Sequence, residues 1–184
     1  MHPGLIETGQ CALLVIDMQE TLLAIQHNRQ NLMRSCNALL QAANLLHIPV
    51  LATTQNAPRL GPLLPEIEAL LNTQALDKMT FGALADARIR EAVQQTQRTQ
   101  WVICGVETHI CVCQTAMQMQ QQGLHAWAAT DAVSARSAEK HQAGLHRINQ
   151  CGIALSCTES ILYEWLGEAG TPAFRALHPL LKTL

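Results

Sequence analysis

The chain has 184 residues, of which 48% are hydrophobic and 14% are charged, and its net charge at pH 7 is −2. This length and composition predict one compact domain over residues 1–184. The weak negative charge offers no basic surface to a phosphate backbone, so nucleic acid is not an expected partner. The low charge also leaves apolar surface exposed, which predicts a homo-oligomer, a dimer or larger.

The cysteines and the apolar runs indicate the compartment. Seven cysteines, at positions 11, 36, 104, 111, 113, 151 and 157, lack the spacing of a disulfide framework or a zinc site. The first residues do not resemble a secretory signal, and no apolar run approaches the roughly 18 residues that a membrane span needs. We therefore expect a cytoplasmic protein that does not enter a membrane.

The first strand is predicted at residues 11–16, a fully apolar run that is closed by Asp17. Buried strands of a parallel sheet have this continuous apolar character. Ligands bind at the carboxyl ends of such strands, so Asp17 is a candidate general base, and a capping role is the alternative. A long amphipathic helix follows and ends near His47.

The second strand, at residues 50–53, leads into a loop at 54–62 that is rich in Pro, Gly and Asn. Because this loop follows the carboxyl end of a strand, Gln55 and Asn56 are candidate substrate contacts. The alternative is that they are ordinary polar residues of the surface.

The third strand, at residues 75–78, ends at Lys78, which is either a cation of the site or a solvated surface lysine. A short helix at 65–71 precedes this strand, and a longer helix at 83–97 follows it. Phe81 lies in the connection and is a candidate pocket residue.

The fourth strand, at residues 101–104, is followed by Gly105 and then by helical spacing up to Gly123. Cys111 falls near the first turn of this helix, where unpaired N–H groups and the helix dipole favour negative charge. Such a position is expected to lower a thiol pKa, which makes Cys111 the candidate nucleophile. A buried structural thiol is the alternative. His109 is a further candidate for the pocket.

The last third of the chain is interpreted as scaffold. A fifth strand at 124–129 is followed by Asp131, which we assign to hydrogen bonds with the N–H groups of a local turn. A sixth strand at 153–155 precedes a capping box at 156–159, in which Glu159 is structural. Six short strands that alternate with helices predict a three-layer α/β/α fold, with a six-stranded, mostly parallel sheet and helices on both faces.

Three motifs resemble those of the isochorismatase-like cysteine hydrolase superfamily in sequence, order and separation. They are VIDMQ around Asp17, DKMTFG around Lys78 and GVETHICV around Cys111. The resemblance covers almost the whole chain and is closest to small isochorismatase-domain proteins of unassigned substrate. Three ordered motifs are much more specific than any one of them.

This resemblance implies a catalytic triad in which Cys111 is the nucleophile, Asp17 the general base and Lys78 the cation that holds the pair. It also implies a cis peptide bond between Val106 and Glu107, which aims the N–H groups of Glu107 and Cys111 at an oxyanion. The implied reaction is hydrolysis of a small-molecule amide or related C–N bond through a thioester, without a cofactor.

Other functions remain open at this stage. Some members of the superfamily cleave a vinyl ether by using the carboxylate, here Asp17, and need no cysteine. A thiol redox protein would use Cys111 with Cys113 as the resolving thiol, and a non-catalytic oligomer would use neither. Nicotinamidases of the superfamily bind a metal through Asp and His in the loop after the second strand. The corresponding loop at 54–62 has neither residue type, so metal and nicotinamide are not expected.

Overall fold

The computed structural model describes residues 4–184, and these form six β-strands and nine α-helices. The strands are β1 (Cys11–Ile16), β2 (Val50–Gln55), β3 (Leu76–Lys78), β4 (Gln100–Val106), β5 (His125–Ser134) and β6 (Ala154–Ser156). The helices are α1 (Glu20–Leu23), α2 (Arg29–Leu45), α3 (Ala57–Leu60), α4 (Pro65–Glu68), α5 (Ala87–Gln95), α6 (Cys113–Gln121), α7 (Ala138–Gln150), α8 (Thr158–Leu166) and α9 (Pro172–Leu181).

The strands form one sheet in the order β3-β2-β1-β4-β5-β6, and every pair of neighbours is parallel. The parallel six-stranded sheet expected from the sequence is thus confirmed. β1 and β4 lie at its centre, with Cys11 opposite Gln100 and Ile16 opposite Gly105. Because all strands run the same way, their carboxyl ends meet at one edge of the sheet.

Helices cover both faces of the sheet, as predicted. Alternate residues of β1 belong to two separate cores, since successive side chains of a strand point to opposite faces. Leu13 and Val15 pack in the core that α2, α8 and α9 cover. Leu14 and Ile16 pack in the core that α5, α6 and α7 cover. No helix within residues 4–184 combines the length and the hydropathy that a membrane crossing requires.

Three strands extend at least two residues further than the sequence predicted, and one of them, β4, continues to Val106. β2 continues to Gln55, so Gln55 ends a strand and does not belong to a loop. β5 continues through Asp131 to Ser134, and its register with β4 shifts between Ile103 and Gly105. Polar residues at these strand ends have the composition of turns, but the neighbouring strand supplies the hydrogen bonds that keep them extended.

The capping box predicted at residues 156–159 is wrong. Cys157 occupies the N-cap of α8, and it makes no side-chain capping bond. The N–H group and the hydroxyl of Thr158 instead donate to Asp131 Oδ1, at 2.8 and 2.9 Å. Asp131 therefore has a structural role, as expected, but it binds the start of a distant helix and not a local turn.

Candidate active site

Asp17 follows the last residue of β1 and is fully buried. Its backbone has φ of +54°, a left-handed conformation that Asp tolerates better than most residues, and its N–H group donates to the carbonyl of Thr53. The turn aims the carboxylate along the sheet edge toward β2 and β3. Thr53 Oγ1 donates to Asp17 Oδ1 at 2.7 Å, and Lys78 Nζ donates to Asp17 Oδ2 at 2.7 Å.

Lys78 is the last residue of β3 and pairs in register with Gln55 of β2. The side chains of Lys78 and Asp17 are both 0% exposed, so their ion pair is completely removed from solvent. A buried pair of this kind needs further hydrogen bonds to offset the lost hydration of its charges. Lys78 Nζ has such a bond to Gln55 Oε1 at 2.7 Å.

Cys111 lies in a π-helical turn, Thr108–Val112, that connects β4 to α6. The sequence predicted a regular first turn of a helix at this position, but α6 begins only at Cys113. The peptide bond between Val106 and Glu107 is cis, and the carbonyl of Glu107 accepts hydrogen bonds from the N–H groups of Ile110 and Val112. Short π-helical turns occur frequently at functional sites.

Glycines allow this connection to pack against its neighbours. Gly105 has φ of +110°, and a Cβ atom on it would lie 2.0 Å from the carbonyl oxygen of Ile16. Gly144 of α7 lies against the π-helical turn, where a Cβ atom would meet the backbone of His109 at 2.8 Å. The turn that holds Cys111 is therefore enclosed by β1 on one side and α7 on another.

The thiol of Cys111 is protonated at neutral pH. Burial raises its pKa to about 12, and the charge of Asp17 and a hydrogen bond to Asp17 act in the same direction. The charge of Lys78 and a backbone hydrogen bond from Glu107 lower the pKa but do not compensate. The expected lowering of the thiol pKa is thus wrong for the free protein, because loss of solvent outweighs the nearby positive charge.

The three predicted triad members come together at the carboxyl edge of the sheet. Asp17 and Lys78 are in direct contact, and both influence the Cys111 thiol, which is 7% exposed. Glu107 contributes its backbone here, since its side chain turns away to pair with Arg136 Nε at 2.9 Å. A protonated thiol next to a carboxylate can transfer its proton and become a nucleophile when a reactant is bound.

The four candidate pocket residues have different positions. Phe81 is 55% exposed, and His109 is partly buried, with no hydrogen-bond partner for its Nδ1 atom among residues 4–184. Burial lowers the pKa of His109. Asn56 adopts a left-handed conformation and donates its N–H group to the carbonyl of Lys78. Gln55 is bound to Lys78, so it belongs to the ion-pair network.

Sequence reasoning missed two members of this network. Thr53 binds the carboxylate of Asp17, and the fully buried Gln19 binds the backbone of Gln55. For Thr53, the signal that could have revealed it is the polar run Thr53-Thr54-Gln55, at the end of a strand that is otherwise apolar. Its meaning depends on the pairing of β1, β2 and β3, which the sequence alone does not contain.

The cysteines and the other metal-binding residue types within residues 4–184 offer little support for a thiol redox site or a metal site. Cys113 is buried and packs in α6 with its Sγ atom 3.9 Å from Met117 Sδ, and all seven cysteines are unpaired. Burial raises the pKa of Cys113, so it too is a thiol at neutral pH. Within residues 4–184, no group of three His, Cys, Asp or Glu side chains is arranged to hold a metal ion. A site without metal stays a prediction.

The fold and site define an α/β protein with a thiol beside a buried ion pair at the carboxyl edge of a parallel sheet. The family model described as the isochorismatase domain matches residues 11–160. The chain therefore belongs to the isochorismatase family of hydrolases, and the resemblance drawn from the three motifs is confirmed.

Known relatives cover nearly the whole chain. It is 32% identical to the secreted isochorismatase effector Isc1 of Phytophthora sojae, over 92% of this chain and 83% of that protein. It is 31% identical to the isochorismatase domain-containing protein 2 of Bos taurus, over 97% of this chain and 86% of that protein.

Solved structures have the same fold. The MAR1 ribonuclease from Caenorhabditis elegans superimposes with a TM-score of 0.90 and 26% identity, over 96% of this chain and 92% of that one. The YcaC gene product from Escherichia coli, an octameric hydrolase of unknown specificity, superimposes with a TM-score of 0.88 and 22% identity, over 100% of this chain and 99% of that one.

Proposed function

We propose that the protein hydrolyses an amide or a related C–N bond of a small molecule, with Cys111 as nucleophile and a thioester as intermediate. The observation that carries this proposal is the buried contact between Asp17 and Lys78 next to the Cys111 thiol. A buried carboxylate that is held by a cation and faces a thiol has the arrangement of a base and its nucleophile.

The proposed reaction begins when Asp17 takes the proton of the Cys111 thiol and the sulfur attacks the carbonyl carbon. The N–H groups of Glu107 and Cys111 stabilise the resulting oxyanion. Asp17 then gives its proton to the leaving amine as the C–N bond breaks. In the second half, Asp17 accepts a proton from water, the hydroxide attacks the thioester, and the acid leaves as the thiol is restored.

The high pKa of the Cys111 thiol is compatible with this order of events. Attack requires the proton to leave only when the substrate is in place, and Asp17 is positioned to accept it. Lys78 stabilises the charge of the pair whether it lies on the carboxylate or on the sulfur. The free enzyme then keeps a neutral thiol, which is less sensitive to oxidation than a thiolate.

A screen of amides, ureides and carbamoyl compounds, with mass spectrometry of Cys111 adducts, tests the proposal. We expect a substrate-derived adduct on Cys111, and we expect Cys111→Ala to lower kcat by about 10⁴-fold or more, as loss of a nucleophile does elsewhere. Cys157→Ala, which alters a partly exposed thiol outside the site, is the matched control and should keep full activity.

The screen also separates the alternatives. Turnover that survives Cys111→Ala but is lost in Asp17→Asn would contradict the amidase mechanism and favour cleavage of a vinyl ether. A peroxide-dependent disulfide that disappears in Cys113→Ser would instead indicate a thiol redox protein.

We also propose that the enzyme works as a homo-oligomer in the cytoplasm. All seven cysteines are unpaired, as a reducing compartment would keep them. Several large apolar side chains are exposed, Met79 and Phe81 beside the site among them. The octameric state of the Escherichia coli YcaC protein shows that this fold can support assembly.

A further inference from the structure

Gln55 is the second hydrogen-bond acceptor of the buried Lys78 ammonium group. Its Oε1 atom lies 2.7 Å from Lys78 Nζ, and its Nε2 atom donates to the carbonyl of Met79 at 3.1 Å. This pattern defines the orientation of the amide. A rotated amide would place its NH₂ group against the ammonium and its oxygen against a carbonyl, which would lose both bonds.

The backbone of Gln55 is held in place by the side chain of Gln19. The N–H group of Gln55 donates to Gln19 Oε1 at 2.7 Å, and its carbonyl accepts from Gln19 Nε2 at 3.1 Å. Gln19 Nε2 also donates to the carbonyl of Gly61 at 2.6 Å. The fully buried amide of Gln19 therefore continues the pairing of β1 with β2 beyond the end of β1 and fixes the position of Gln55.

A neutral acceptor has a specific effect on a buried ammonium group. Lys78 is completely enclosed, so each N–H donor of its ammonium group needs an acceptor in place of the lost water. Gln55 satisfies one proton without adding a negative charge near the thiol. This arrangement leaves the positive charge of Lys78 available to Asp17 and Cys111.

We propose that Gln55 is a positioning residue that holds the Lys78 ammonium group in contact with Asp17, and that Gln19 serves it as a backbone clamp. This role rests on the proposed hydrolase function. It removes Gln55 from the substrate pocket and makes the end of β2 a part of the catalytic apparatus.

Alkylation of Cys111 by iodoacetamide, followed by peptide mass spectrometry, tests this role without any substrate. Gln55→Met replaces the amide with an apolar side chain of similar length, and Gln74→Met makes the same change at an exposed glutamine outside the site. We expect Gln55→Met to slow Cys111 alkylation at pH 9 about tenfold, the effect of one pKa unit, because Lys78 then lowers the thiol pKa less. Gln74→Met should leave the rate unchanged.

A double-mutant cycle shows whether Gln55 acts through the ion pair. Asp17→Asn with Lys78→Met removes both charges together, so that neither stays buried without a partner. In this background, Gln55→Met should cause no further change in Cys111 alkylation. Equal slowing in both backgrounds, or no slowing in the wild-type background, would overturn the inference.

Global unfolding is recognised from the other thiols in the same sample. Faster alkylation of the fully buried Cys11 and Cys36 would indicate that Gln55→Met has unfolded the chain. If the charge-free background then restores the fold, the unfolding arises from an unsatisfied ammonium and supports the inference. If it does not, the inference is wrong.

Steady-state kinetics on a substrate from the amide screen give a second test. Gln55→Met should lower kcat and leave KM unchanged, whereas a raised KM with unchanged kcat would return Gln55 to the substrate pocket. Alkylation needs no substrate, so failure of the screen and failure of this inference are distinguishable.

Discussion

At the scale of single residues, the Asp17 carboxylate is held at both oxygens, by Thr53 on one and by Lys78 on the other. A carboxylate bound in this way has one orientation, and a fixed base transfers protons more effectively than a mobile one. Gln55 extends the same principle to the ammonium group. The site thus depends on residues that do not take part in bond making.

Thr53→Val removes the hydroxyl that binds Asp17 but keeps the shape of the side chain. We expect the free energy of unfolding to fall by about 1–3 kcal/mol, because a buried charged acceptor loses its donor. We also expect kcat to fall by about tenfold, the equivalent of about 1.4 kcal/mol. Urea denaturation and turnover measure the two effects. Thr53→Ser keeps the hydroxyl and is the matched control, so equal losses in both variants would contradict the role of the hydroxyl.

The raised thiol pKa predicts an alkaline reactivity profile for Cys111. Since the pKa is about 12, the thiolate fraction should rise about tenfold per pH unit from pH 7 to pH 10. Alkylation by iodoacetamide should therefore rise without a plateau over this range, while a free cysteine levels off near its ordinary pKa. A rate that levels off by pH 10 would show that the thiol pKa is not raised.

The sequence was informative for residues that follow apolar runs. Asp17 directly follows β1, Lys78 is the last residue of β3, and Cys111 lies in the turn after β4. The sequence motifs around these three residues are specific. Thr53 binds Asp17 and Gln19 binds Gln55, each 36 positions away, and those contacts depend on the register of β1 and β2. The thiol pKa was mispredicted for a related reason, because burial depends on the whole fold.

At the scale of elements, the π-helical turn at Thr108–Val112 is positioned by the helix that packs against it. Gly144 of α7 contacts the backbone of His109, and His141, one turn earlier in α7, shares a 2.9 Å hydrogen bond with Thr108 Oγ1. The apolar run and the helical spacing predicted a strand before the turn and a helix after it. It did not predict the π-helical geometry, which requires the close approach of α7.

We expect Gly144→Ala to destabilise the protein, although a change from glycine to alanine within a helix usually stabilises it. Alanine in a helix is normally more stable than glycine by about 1 kcal/mol. Here the added methyl group would lie 2.8 Å from the backbone of His109, so we expect a loss of about 1–3 kcal/mol in the free energy of unfolding and a lower kcat. Chemical denaturation and turnover measure these changes.

A variant of the same helix serves as the control for Gly144→Ala. His146→Ala alters an exposed position of α7, and it should leave stability and kcat nearly unchanged. If Gly144→Ala stabilises the protein instead, then α7 does not constrain the turn that holds Cys111.

At the scale of the whole molecule, two cores enclose one sheet, and the site lies where the central strands end. Composition and alternation of elements were sufficient to predict this architecture, because the central strands β1 and β4 are apolar on both faces and the longer helices carry one apolar face. Several large apolar side chains, including Leu5, Ile25 and Phe81, are exposed on the single chain. A second copy of the chain could cover them.

Sedimentation analysis tests the expected self-association. We expect a species whose mass is a multiple of the 20.2 kDa chain. The reason is that another copy of the chain can bury the apolar surface next to the site and so remove it from water. The distribution should be measured over a wide range of concentrations. A single 20.2 kDa species at every concentration would contradict the expectation.

The central place of β1 has a consequence for biosynthesis. This wholly apolar strand leaves the ribosome before β4, one of its two neighbours, which is made about 85 residues later. At the usual speed of translation, the delay is on the order of ten seconds. Throughout that interval no strand except β2 can pair with this apolar segment, and its other edge has no partner, so efficient production should depend on chaperones that shield it.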